Sequence, residues 1–532
     1  MTPFAALFER LQHAPSAASK QRWLTAYFDA APDPDRGWAV ALLTGALTLK
    51  RFRPAELRAL LAARVDPELF AWSHAHVGDL VETVALLWPA RPGANRPPDL
   101  SELVNGLRTA EKADLSRLLA GWLDGLDSPG RWTLLKLACG ALRLDLSARL
   151  VKRALAEWGG RPLAQIEEVW HGLTPPYGAL FAWLAERREG PAPVADPDTA
   201  FRPMMRACAL QPAAVQDLDL AAYQVEWKWT GVRVQLLANG PRPSRLFSQD
   251  GDDLSAAFPD LLADLDFTAV IDGQLLVAEP ADLAGGALQI APLAQLQQRL
   301  TRKRIDKKLL AAAPAYLRAF DLLFDGTKDL RPLSLAQRRA RLERCLARQR
   351  PARLDLSPLA PVRNHAALAA LRAEGATGCG GLVLKRKTSA YLADAPQGAW
   401  LVWRFPARTV KAVLLYVERG RGRSARPFAR ATFGAWRATA AGRELVPLGA
   451  AACTLPDDQL ARLESWVKAN SIARFGPVRS VTPSLLLEVA FEAVDAAPRR
   501  KAGLTLRAPR LLSICWEADA DQAVRLESLR PV

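Results

Sequence analysis

Along residues 1–188 the apolar positions recur with helical spacing. Leu7, Leu11 and Leu24 open the pattern, Pro32-Asp33-Pro34-Asp35 interrupts it, and a further helix is expected to begin near Trp38. Segments 57–64, 101–108, 115–126 and 147–158 continue the theme between short Pro, Gly and Asp breaks. Residues 190–197, Gly190-Pro191-Ala192-Pro193-Val194-Ala195-Asp196-Pro197, read as a proline-stiffened linker. Beyond it the texture becomes mixed. Residues 225–229, 233–237, 269–276 and 319–323 are strand-like, and 335–348 form a basic helix. A third texture begins near Thr409, with strands at 410–417 and 485–491, a helix over Asp457–Asn470 between them, and a turn at Arg419-Gly420-Arg421-Gly422-Arg423. Strands, one helix and Gly/Pro turns in that span suggest a small barrel of the OB type. No internal repeat is evident.

The 532 residues are enough for three or four domains, and half of them are hydrophobic, so each domain can bury a core. Lys and Arg number 71 against 55 Asp and Glu, a formal charge of +16. That excess favours a polyanionic partner, most simply nucleic acid, although an arginine-rich composition without functional meaning gives the same sum. The basic positions Lys50, Arg51, Arg53, Lys112, Lys136, Lys152 and Arg153 are expected at helix ends and on outward faces. Arg302-Lys303-Arg304-Ile305-Asp306-Lys307-Lys308 is either a DNA track or a solvated helix. No uncharged run of about 18 apolar residues marks a membrane span. Met1-Thr2-Pro3-Phe4-Ala5 soon meets Glu9 and Arg10, so no secretory signal is expected. The six cysteines are scattered, without the C-x-x-C spacing of a zinc site, and His74 and His76 point to different helix faces. A reducing cytoplasm fits.

The stretch that carries chemistry is Glu226-Trp227-Lys228-Trp229-Thr230-Gly231-Val232-Arg233. A lysine on a strand, followed by a glycine turn and an arginine, can face a nucleotide. With its proton lost near other cations, it can attack phosphorus. Alone the pattern is no more than a hairpin lysine, but five further segments follow in order. They are Leu246-Phe247-Ser248-Gln249, Val270-Ile271-Asp272-Gly273-Gln274, Ala319-Phe320-Asp321-Leu322-Leu323, Gly381-Leu382-Val383-Leu384-Lys385 and Trp400-Leu401-Val402-Trp403-Arg404. Together they resemble the motifs of the ATP-dependent DNA ligases, nearest to the bacterial type associated with a DNA damage response.

The resemblance implies a multidomain fold: an all-α DNA-binding domain (1–190), an α+β nucleotidyltransferase (adenylation, ATP-grasp-like) domain (201–405) and a β-barrel OB-fold domain (406–532). It implies nick sealing in DNA repair, through a lysyl-AMP intermediate on Lys228. Glu226 would accept from the adenine amino group, Phe320 would stack on the base, and Arg233 would contact ribose or nick phosphate. Lys385 would support the phosphate side, and Arg404 would keep a cation there. ATP and Mg²⁺ are the implied cofactors and nicked double-stranded DNA the partner. A repair helicase and exonuclease, a monomeric state and a nucleoid-associated cytoplasmic location also follow from it.

Several positions depart from the pattern. Thr230 stands for the aspartate of K-x-D-G, Gln249 for an arginine, Gln274 and Gly380 for the two glutamates that hold metal, and Val402 for a lysine. The C-terminal R-x-D-K element is not evident. Gln and Gly offer no negative charge to Mg²⁺, and Val402 brings no positive charge to a phosphate. Two readings therefore stand: a working ligase in which Asp272, Asp321 or substrate phosphates hold the metal, and a catalytically impaired homologue that binds nicked DNA as a repair scaffold. A third, an RNA ligase or capping-type nucleotidyltransferase, shares the lysine chemistry but usually lacks a long basic helical domain.

Overall fold

The computed structural model describes all residues apart from 15, 50–51, 90–95, 143, 187–191, 194–199, 264, 280–288, 303–304, 376–377, 394–396, 420–427, 441 and 530–532. The expected linker (save Ala192 and Pro193), the 420–423 turn and the basic positions Lys50, Arg51, Lys303 and Arg304 lie outside the described residues. The chain forms two compact units, residues 1–204 with 239–253, and residues 205–238 with 254–532.

From residue 1 to 185 the regular elements described are helices, running from Thr2–His13 to Gly178–Ala185. The expected segments become Pro54–Ala62, Leu100–Thr109, Lys112–Asp124 and Ala148–Gly159, and Asp35–Leu43 holds Trp38. Their starts are set by side chains that accept from free amides: Ser16 from Ser19, Asp79 from Glu82, Asp127 from Gly130 and Ser147 from Leu150. Gly78 and Gly160 end two helices in the left-handed conformation. One continuous core joins the helices, with Phe4, Phe28, Leu103, Leu155 and Phe181 at its centre.

The charge pattern differs from expectation in this unit. Arg53, Lys112 and Arg153 are exposed, but Lys152 is only 1% exposed, with its ammonium 4.8 Å from the centre of the Trp170 ring. Lys136 donates to Asp79 at 2.9 Å. Both lysines spend their charge inside the unit, because an amphipathic stem on a crowded helix face is drawn over aromatic surface.

The second unit contains three sheets. In the first, Cys379–Arg386 lies between Tyr223–Trp229 and Trp400–Arg404, antiparallel to both, with Cys208–Ala209 on the far edge. In the second, Val232–Asn239, Thr268–Val277, Ala315–Asp325 and Lys328–Asp329 follow in that order, with Leu354–Leu356 parallel to Ala315–Asp325. Gly231 carries the chain from one sheet to the next. A Cβ there would lie 2.3 Å from the Leu275 carbonyl oxygen, so only glycine fits. The Leu335–Gln349 helix packs on the second sheet and turns Arg338 and Arg339 inward, so part of its basic character is structural.

In the third sheet Arg408–Glu418 is the hub, paired with Arg430–Thr439, Val478–Val481 and Leu486–Phe491. One strand pairing with three neighbours requires the sheet to curl. The Asp457–Asn470 helix buries Leu460, Leu463 and Val467 against it. Among the described residues no helix is long and apolar enough to cross a membrane.

The Arg338–Asp321 pair is fully buried and doubly hydrogen-bonded, at 2.8 and 2.9 Å. Arg338→Ala strands the carboxylate and is expected to lower the unfolding free energy by about 3–5 kcal/mol. Urea unfolding followed by tryptophan fluorescence reads the shift.

Candidate active site

The register of the first sheet places the motif residues in rows on one face. Gln224, Lys385 and Trp400 lie side by side, then Glu226, Val383 and Val402, then Gly381 and Arg404. Residues two apart on a strand share a face, so Lys228 extends the same side as Glu226. It sits at a register shift between Trp227 and Trp229. Trp229 anchors the strand by donating from Nε1 to Ser357 Oγ at 3.1 Å, and the Thr230 amide donates to the Gly378 carbonyl at 2.7 Å.

Lys228 is half-buried. Burial, and then the Arg404 guanidinium, hold its amine below the ordinary lysine range, while Glu492 acts in the opposite sense. Arg404 and Glu492 approach to 3.7 Å, both with exposed side chains. The sequence reading named Arg404 but missed Glu492. That carboxylate follows the Leu486–Phe491 strand and matches no motif, so no sequence signal pointed to it.

Glu226 is 2% exposed, and each of its oxygens accepts a bond: Gln224 Nε2 at 2.7 Å and Lys385 Nζ at 2.9 Å. The Lys385 ammonium lies 3.8 Å from the centre of the Phe320 ring and 4.4 Å from that of Trp400. Lys385 therefore stands with Glu226 and Phe320, the two residues expected at the base, rather than beside Lys228. Burial lowers its pKa, and Glu226 and Asp321 work against that. Trp400 Nε1 is buried without a hydrogen-bond partner among the described residues.

In the second sheet Arg233 grips Asp272 with two bonds, at 3.0 and 2.6 Å, and the Tyr391 hydroxyl donates to Asp272 at 2.6 Å. Burial opposes the charge on Arg233, yet Asp272 and Tyr391 outweigh it and raise the pKa. Asp321 faces Asp272 across the strands and is held by Arg338. Burial pushes the Asp321 carboxyl up, and Arg338 pulls it back. The carboxylates expected to hold a metal in a working enzyme are thus both committed to guanidinium groups. Gln274 and Gly380 add no charge, and no group of three or more His, Cys, Asp or Glu suited to a metal exists among the described residues. A divalent cation does not fit this arrangement. Ser248 belongs to the other unit, where its hydroxyl bonds Asp252 at 3.2 Å.

Residues 203–402 match the family model of the ATP dependent DNA ligase domain. A probable DNA ligase of Koribacter versatilis is 27% identical over 439 residues, covering 77% of this chain and 73% of that protein. A probable DNA ligase of Opitutus terrae is 29% identical over 495 residues, covering 80% of this chain and 48% of its own, so the chain spans about half of that relative. The solved structure Pmar-Lig_PreS3 aligns over 96% of this chain and 99% of its own, with a TM-score of 0.54 and 14% identity, a likeness of fold. The lysine-bearing sheet and these matches define a protein of the nucleotidyltransferase class. The chain belongs to the ATP-dependent DNA ligase family.

The charges around Lys228 make its titration a direct readout of the site. Reductive ¹³C-methylation and NMR are expected to find the Lys228 amine titrating below the other lysines. Arg404→Gln raises that midpoint by removing a neighbouring cation, and Glu492→Gln lowers it further.

Proposed function

We propose that this chain is a ligase-family protein that engages nicked duplex DNA with its adenylate-transfer chemistry strongly reduced. The observation that carries this reading is the commitment of Asp272 to Arg233 and of Asp321 to Arg338, with Gln274 and Gly380 at the family's glutamate positions. Phosphoryl transfer depends on positioning and charge compensation, and each lost electrostatic contact costs on the order of 10²–10³ in rate. Val402 removes a further cation from the row that holds Glu226. DNA binding does not need these groups. It needs cations over a large surface, which a charge of +16 supplies.

In this reading residues 1–190 are the DNA-binding domain, 201–405 the adenylation domain, and 406–532 an OB-type barrel whose hub strand supports the assignment. The resemblance to the damage-response-associated type makes a repair helicase and exonuclease the expected partners, a monomer the expected form and the nucleoid the expected site of action. Scaffolding at the nick is then the role.

One observation favours a second reading, a working ligase. Lys228 keeps its strand position with an amine held down by burial and Arg404, as a nucleophile requires. Its nitrogen would attack the α-phosphorus of ATP, forming a phosphoramide bond while the bond to pyrophosphate breaks. The AMP would pass to the 5′-phosphate of a nick, and the 3′-hydroxyl would displace it. Phe320 and Glu226 would receive the purine, with Lys385 as a base-side donor.

Labelled ATP with Mg²⁺ or Mn²⁺ separates the two readings. The first expects nanomolar-to-micromolar binding of nicked duplex and little covalent AMP. A rapid AMP adduct on the wild-type chain that disappears in Lys228→Ala overturns it and establishes the ligase. Preference for nicked RNA in competition would point to RNA ligase chemistry instead.

A further inference from the structure

The Ser471–Phe475 and Val478–Val481 strands form a hairpin at the edge of the curled sheet, turning at Gly476 with φ +59°. Two large apolar side chains on it face water, Ile472 at 66% and Phe475 at 65% exposure. Ile472 lies at a register shift and so stands out from the ladder. An exposed apolar edge strand is a liability unless something covers it.

At the base of the hairpin is a cavity of about 150 Å³, lined by Arg419, Phe428, Glu464, Lys468, Pro477 and Arg479. One water needs only ~10–15 Å³ measured this way. Three separate elements deliver its cations: Arg419 just past the hub strand, Lys468 in the last turn of the helix, and Arg479 from the hairpin. The Arg419 amide donates to the Pro477 carbonyl at 2.9 Å, which fixes that guanidinium beside the turn. Glu464 is the one carboxylate in the lining, and it pairs with Lys468 at 3.3 Å. Among the described residues neither Arg419 nor Arg479 has a carboxylate partner. Arg474 adds a further cation on the exposed strand. Converging like charges in a concavity repel one another until an anion enters.

We propose that this cavity seats a backbone phosphate of duplex DNA and that the hairpin lays Ile472 and Phe475 against the adjoining sugars. The proposal rests on the DNA-binding reading above and assigns it a surface remote in sequence from the lysine motifs. Charge decides the occupant: the cations outnumber the carboxylate, and the apolar pair is flanked by arginines, as a sugar–phosphate track requires.

The test uses the full chain and a fluorescein-labelled nicked duplex, with affinity measured across a KCl series. Arg419→Gln/Arg479→Gln is expected to reduce the slope of log K against log[KCl] by about 2, at ~0.9 per phosphate contact. Ile472→Ser/Phe475→Ser is expected to weaken binding roughly tenfold at every salt concentration with the slope unchanged. Unaltered circular-dichroism melts establish that both variants fold, and the single Lys468→Gln variant, expected to lower the slope by about 1, repeats the charge test with less disturbance. Wild-type binding of the nick, matched in affinity and slope by all three variants, overturns this surface while leaving the DNA-binding reading intact. It also assigns the hairpin to another class of partner, such as an acidic protein. Failure of the wild-type chain to bind the duplex overturns both.

Discussion

The grip of Arg233 on Asp272, closed by the Tyr391 hydroxyl, is the interaction on which the site depends. It lies in a core where a lone charge would be costly, and it satisfies donor and acceptor together. Around it the aromatic rings of Phe320, Trp400 and Tyr391 make edge contacts, at 6.2 Å and 5.8 Å, that leave room for cations at their faces. Arg233 and Lys385 fill those places. The site is thus a lattice of buried pairs in which each charge has a partner.

Such a lattice is stable because it is complete, and completeness constrains chemistry. A carboxylate held by two guanidinium nitrogens and a phenol has few lone pairs left for a metal. The substitutions at Gln274, Gly380 and Val402 all remove charge from the same region. Each is modest alone; together they are consistent with a protein that has kept its architecture while its catalytic electrostatics relaxed. Lys228 stands apart from the lattice, at a bulge, with the exposed pair Arg404 and Glu492 as its charged surroundings.

Much of the architecture was legible in the order of residues. The helical texture of the front, the strands at 225–229, 319–323 and 410–417 and the Asp457–Asn470 helix all appear where apolar spacing placed them, because periodicity is a local property. The family was legible for the same reason: six short motifs carry chemically specific residues in order, and the domain match over 203–402 spans five of them in full. Lys152 shows where local reading fails. Its helix pattern allowed an outward face, but the neighbouring Trp170 and the packing of that unit draw it inside.

What sequence alone determined is the set of groups available for chemistry: one strand lysine, its glycine turn, and the missing acids. The partners of those groups were decided by tertiary structure. Lys385 was expected near phosphate, yet it pairs with Glu226, 159 positions away, because strand register puts the two on one face. Glu492 enters the surroundings of Lys228 from the curled sheet, and no motif marks it. Residue type is a property of each position, whereas a charge's partner depends on which strands lie side by side. Only the folded chain specifies that.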